Sequence, residues 1–218
     1  MPAVVAVACT LVACGSRSDL PPPAGPAHSP PPSERPAGRL VAAGGLRLAG
    51  ADRLRATVDG GRAVAVLSPR RRALEVLDAA TGRSIDRAAA GAGPTHVIAG
   101  RGHLIYVVDT GADGLLVYEL RPHLRLTRRL PLLGGPYAIA ADPVAGRLWV
   151  TMTRTNRLVE LADGARPHRL RDFPSVRQPN AVTVDTVRHH VYVTGQGGVV
   201  QIVDGRDTAA PSSRTARR

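Results

Sequence analysis

Aromatic residues are scarce. One Trp, four Tyr and one Phe stand among 218 residues, which leaves little on which the bases of a single-stranded nucleic acid could stack. Lysine is absent, so all 29 basic residues are arginine, and against 17 acidic residues they give a formal charge of +12. Charge built from one residue type follows a coding bias at least as readily as an electrostatic role. The two cysteines are Cys9 and Cys14, close to the N-terminus. The remainder therefore has no thiolate for zinc, no disulfide and no cysteine nucleophile. Glutamates number four, at 34, 75, 119 and 160, with no acidic cluster to grip a divalent ion. Neither a Gly-x-Ser-x-Gly elbow nor a phosphate-binding glycine loop occurs. What is plentiful is Gly (23) and Pro (19), among Val, Ala and Leu. That mixture favours many short strands joined by turns.

The leader comes first. From Met1 to Ala13 the chain is uncharged and mostly apolar, too short for a spanning helix of about 20 residues and suited to the core of an export signal. Leu11-Val12-Ala13-Cys14-Gly15 resembles the lipobox of bacterial lipoproteins, which implies cleavage before Cys14 and lipidation of its sulfur. A diacyl anchor holds a protein on a membrane where one chain would not. The positively charged start usual in such signals is missing; an ordinary buried strand over 4–12 is the alternative. Residues 15–38 carry Pro21-Pro22-Pro23 and Pro30-Pro31-Pro32 among Ser, Ala and Gly. They are expected to form an extended tether outside any core.

An internal repeat follows. Pro94, Pro136 and Pro179 each precede a similar run, beginning Thr95-His96-Val97, Tyr137-Ala138-Ile139 and Asn180-Ala181-Val182. Tyr106, Trp149 and Tyr192 keep step with them, and Val64 stands at the matching place in an earlier copy. Third-strand runs begin near 73, 115, 158 and 199. Fourth strands are expected around 84–89, 126–132 and 168–173. Runs of four to eight apolar residues between turn signals are strands rather than helices. A period of 42–43 residues with four strands per unit is that of a β-propeller blade. The fold class is therefore all-β, a propeller of about four four-stranded antiparallel blades over 39–207, with a basic tail at 208–218.

Tyr106-Val107-Val108-Asp109-Thr110-Gly111 and Val191-Tyr192-Val193-Thr194 make the chain similar to the YVTN/NHL group of bacterial β-propellers. The resemblance implies a scaffold that binds ligands and, less often, an enzyme. The last copy lacks a fourth strand, and 40–48 is placed to supply it. That would close a four-bladed ring; the alternatives are a partial propeller and an open half-ring pairing as a homodimer.

Propeller ligands sit at the channel mouth, so the ligand-binding candidates are His96, Asp109, Tyr137 and Asn180. Thr95, Asp113, Arg154, Asn156 and Gln196 lie in the neighbouring loops. At the hairpin position of Asp109 a side-chain bond to the backbone is the usual role, and the aromatic series suits packing between blades. His189 and His190 are adjacent on a strand and point to opposite faces, so no metal site is expected. No cofactor is expected either. Arginine clusters at 70–72, 128–129 and 169–171 would make a basic rim, for anionic lipid or wall polymer or only as solvated edges. Such charge suits DNA, but the export signal conflicts with nucleic acid as a partner. The expected function is a membrane-anchored, extracytoplasmic, non-catalytic scaffold for an unidentified ligand or protein. A lactonase-like or lyase-like enzyme with its site at the mouth is the alternative.

Overall fold

The computed structural model describes residues 24–43 and 54–206. The leader, Cys14 and the basic tail lie outside them. Short strands dominate because each apolar run is ended by a turn whose geometry its residues supply. Arg72, Asp113 and Asn156 take left-handed φ of 49°, 47° and 54°, each just before a third strand. Asx residues tolerate that conformation far better than branched ones.

Strand β1 (Arg39–Ala42) comes first in the chain but last in the assembly. The first blade holds β2 (Arg55–Val58), β3 (Ala63–Ser68), β4 (Ala73–Asp78) and β5 (Ser84–Ala89); the second holds β6 (Pro94–Ala99), β7 (Leu104–Asp109), β8 (Gly114–Glu119) and β9 (Arg125–Pro131). The third is β10 (Pro136–Asp142), β11 (Arg147–Met152), β12 (Arg157–Ala162) and β13 (Arg169–Pro174). The fourth combines β14 (Ala181–Asp185), β15 (His190–Thr194) and β16 (Val199–Asp204) with β1, which lies antiparallel to β16 with Arg39 opposite Ile202 and Val41 opposite Val200. All four sheets are antiparallel, and the first three are simple meanders. The N-terminal strand thus completes the last blade, as expected.

The ring does not close as expected. Three hydrophobic clusters fill the junctions between blades 1 and 2, 2 and 3, and 3 and 4. Among the described residues no packed junction brings blade 4 onto blade 1. Strand burial says the same. In the middle blades β7 and β11 are buried on both faces, whereas β3 and β15 alternate between buried and half-buried residues. Alternation is the mark of a sheet covered on one side only. The four blades form an open arc.

The repeated aromatic position shows what a junction needs. Tyr106 is fully buried and its hydroxyl donates to Asp163 Oδ1 at 2.5 Å in the next blade. Burial first, and then that carboxylate, push the phenol pKa up. Trp149 is 1% exposed and leans on Phe173 and the Gly205 turn of blade 4. Tyr192, next in the series, stays half-buried. In blade 1 the equivalent is Ala65, opposite Val76 as Tyr106 is opposite Val117. Val64, the residue matched by spacing, faces the other way.

Polar ties cross the junctions on the face away from the repeated prolines. Asp142 meets His189 Nδ1 at 2.5 Å, joining blades 3 and 4. Buried Asp59 of blade 1 accepts from Arg121 and lies 3.4 Å from His103, both of blade 2. The hydrogen bond from Arg121, helped by Arg62 and opposed by burial, holds the Asp59 carboxyl below the ordinary carboxylate range. A depressed folded pKa stabilises above the unfolded value of about 3.9, and that contribution is lost as pH falls through the folded value. Asp59→Asn is therefore expected to flatten the fall of stability as pH drops below the ordinary carboxylate value of about 3.9. Urea midpoints against pH measure it; an unchanged slope would mean the pair does not link folding to protons.

Candidate functional site

The repeated prolines put the starts of β6, β10 and β14 side by side on one face, the mouth. Beside them lie the turns between second and third strands. A cavity of about 590 Å³ opens there at the junction of blades 1 and 2. Its walls include Leu67, Ser68, Pro69, Pro94, Thr95 and Tyr137, with Arg70 as the single charged residue among those described and Ala24-Gly25 as a lip. Thr95 Oγ1 donates to the Tyr137 carbonyl at 3.0 Å and lies 2.9 Å from Thr110 Oγ1, which donates to the Pro136 carbonyl at 2.6 Å. These hydroxyl bridges fix the second blade against the third below the cavity.

The four sequence candidates fare differently. His96 and Tyr137 are brought together, edge to face, with ring centroids 5.0 Å apart and an interplanar angle of 71°. Tyr137 lines the cavity; His96 flanks it. Asp109 is fully buried, and its carboxylate accepts from Ala92 N and Gly93 N at 3.0 and 2.7 Å. It forms the turn that presents Pro94 and offers no open contact to a ligand. A Cβ on Gly91 would stand 2.0 Å from that carboxylate, which is why the tight turn needs glycine there. Asn180 is exposed at the head of β14, its N–H bonded to the Thr194 carbonyl, and is not part of the cavity wall.

The loop candidates have partners within the chain. Arg154 pairs with Asp113 at 3.2 Å, and Asp113 also accepts from Gly135 N at 2.9 Å. Asn156 holds Gln178 N through Oδ1 at 2.7 Å and the Pro30 carbonyl through Nδ2 at 3.0 Å. That last bond reveals an arrangement absent from the sequence reading. Residues 24–38, expected to form an extended tether outside the core, lie along the mouth face. Ala27 N donates to Thr153 Oγ1 at 3.0 Å, Gln178 Nε2 to the Pro26 carbonyl at 3.3 Å and Arg177 to the Ser29 carbonyl at 3.4 Å. Arg157 meets Glu34 at 3.0 Å. Fully buried Gln201 then bonds the Ala37 carbonyl at 2.8 Å, leading into β1. Proline has no N–H to donate to a ladder, but its extended backbone leaves the carbonyls bare for side-chain donors. Thr153, Arg177, Gln178 and Gln201 were missed because their role depends on a segment distant in sequence.

Arginine clusters divide as well. Arg70, Arg71 and Arg72 are exposed in the β3–β4 turn on the mouth face, and Arg128 and Arg129 are exposed on β9. Arg171, by contrast, is tied inward to Glu160. Among the described residues no three His, Cys, Asp or Glu side chains converge as a metal site would need. No described helix is long and apolar enough to cross a membrane.

Neither a protein-family model nor a curated protein matches the chain. Solved structures do. The β-propeller domain of Cps50 (Swd1) from Myceliophteria thermophila superposes with a TM-score of 0.57 at 12% identity, over 69% of this chain and 52% of that one. The hydrazine synthase of Kuenenia stuttgartiensis gives 0.58 at 15%, over 69% and 57%. A chain of the mitotic checkpoint complex gives 0.61 at 9%, over 69% and 49%. The chain spans about half the length of these structures. At such identities the likeness establishes the β-propeller fold alone.

Proposed function

We propose that this protein is an exported, lipid-anchored β-propeller of the YVTN/NHL kind that binds a ligand or protein at its mouth face without catalysis. The observation that carries the binding reading is the cavity at the mouth. Among the described residues its wall has hydroxyls, apolar side chains and one arginine, with no carboxylate or imidazole. Such a surface can hold a molecule but has no acid–base pair to transform it. Export and anchoring rest on Leu11-Val12-Ala13-Cys14-Gly15. Cys14→Ala is expected to move the protein from the membrane pellet to the soluble fraction of the producing cell; retention in the pellet would remove the anchor from this reading.

The partner reading includes a second copy. Both end faces of the arc are apolar at their centres. Val64, Val66 and Leu77 are half-buried on blade 1, as are Tyr192 and Ile202 on blade 4. Each internal junction covers a face like that of blade 4 with a face like that of blade 1. Two four-bladed arcs joined head to tail would repeat that junction twice and close a ring. The superposition of this arc on about half of larger propeller chains favours such a curvature.

A further inference from the structure

The mouth face is already occupied at one place, and the occupant is the chain itself. Between the β11–β12 turn and the segment entering β14 runs a groove holding residues 26–30, Pro-Ala-His-Ser-Pro. Among the described residues every polar grip on this stretch is to backbone: Asn156 to the Pro30 carbonyl, Arg177 to the Ser29 carbonyl, Gln178 to the Pro26 carbonyl and Thr153 to Ala27 N. Ser29 is fully buried in it. A groove that reads carbonyls of an extended, proline-punctuated backbone recognises a conformation and is indifferent to most side chains.

The fit is incomplete. Ser29 Oγ, Arg177 Nε and Gln178 Oε1 are buried without a hydrogen-bond partner among the described residues. Each is a polar group removed from water with nothing returned. A segment whose own hydroxyl and amide groups met the Arg177 donor and the Gln178 acceptor would sit there better than 26–30 does. We infer that this groove is a binding site for extended proline-rich peptide, held in cis by residues 26–30 and opened when a peptide in trans replaces them. The inference deepens the binding reading above by naming the ligand class. It places that ligand across blades 3 and 4, with the cavity at blades 1 and 2 beyond the lip at Ala24-Gly25. A cis segment acts at an effective concentration of about millimolar, so the intact chain should hide the site from dilute peptide.

The test uses the full chain with 26–30 replaced by Gly-Ser-Gly-Ser-Gly, titrated with a fluorescent synthetic peptide of residues 21–34 and followed by anisotropy. Saturable binding is expected, at least about tenfold weaker to the unaltered chain and weakened to a similar extent when Asn156→Ala is added. A replaced chain that melts cooperatively yet shows no saturable binding up to about 1 mM peptide would overturn the inference. So would binding indifferent to Asn156→Ala. Should the replaced chain fail to fold, hydrogen exchange of the unaltered chain decides. Protection of the Ala27 amide, which donates to Thr153, lost well below global unfolding supports an exchangeable segment, and protection up to global unfolding makes it a fixed part of the core. If peptide fails but a molecule protecting Tyr137 from modification is found, the broader reading survives and only the peptide site falls.

Discussion

Trp149→Ala is expected to lower stability by about 3–5 kcal/mol, as removal of a fully buried aromatic does. Tyr192→Ala, at the same place one blade later, should cost the separated arc no more than about 1 kcal/mol. The contrast follows from the arc alone. Trp149 fills the junction of blades 3 and 4 against Phe173, Val191 and the Gly205 turn, whereas Tyr192 lies on a face that no other blade covers among the described residues. Urea unfolding below the concentration at which copies associate measures both. Equal losses would mean that Tyr192 also packs within one chain and that the ring is closed.

Glu160→Ala is the second large effect, expected at about 3–5 kcal/mol. Glu160 sits opposite Trp149 in the sheet with its side chain 1% exposed. Arg147 approaches one carboxylate oxygen at 3.0 Å and Arg171 holds the other. Arg171 also reaches the Gly205 carbonyl at 3.0 Å and lies 5.1 Å over the Phe173 ring. Removing the carboxylate leaves two guanidinium groups side by side, one of them largely buried, at the seam between blades 3 and 4. Glu160→Gln, which keeps the shape and loses the charge, should recover only part of the loss. A denaturation midpoint unchanged in both variants would show the pair to be incidental.

Much of the fold could be read before any coordinates. The recurrence of proline, aromatic and third-strand runs gave sixteen strands in four blades, because blade geometry repeats wherever the same turn chemistry repeats. The N-terminal strand could be placed in the last blade because that blade was short of one. The open end could not be read. Val64, Val66, Tyr192 and Ile202 are as apolar as their counterparts in the middle blades, so hydropathy gives the same pattern for a covered and an uncovered face. Glu75 differs, standing where the middle blades bury Leu116 and Val159; with Glu119 and Glu160 also on third strands, one more carboxylate there is a faint sign.

The site was legible in the same uneven way. Position in the repeat located the mouth and brought His96 to Tyr137, since strand starts in successive blades are neighbours. It could not separate Asp109, turned inward to its own loop, from a residue turned outward, because both uses ask for a carboxylate at that turn. Nor could composition tell a free proline-rich tether from one laid on a surface. The difference lies in Thr153, Asn156, Arg177 and Gln178, more than 120 residues downstream, which supply the bonds that proline cannot make for itself.

The measurement that bears most directly on an open arc completed by a second copy is the solution mass of the Cys14→Ala chain, by light scattering during gel filtration. A single species at twice the 22.8 kDa chain mass is expected, dissociating when Tyr192→Arg places a charge on the blade 4 end face. A compact monomer at micromolar concentration, unchanged by Tyr192→Arg, would contradict it.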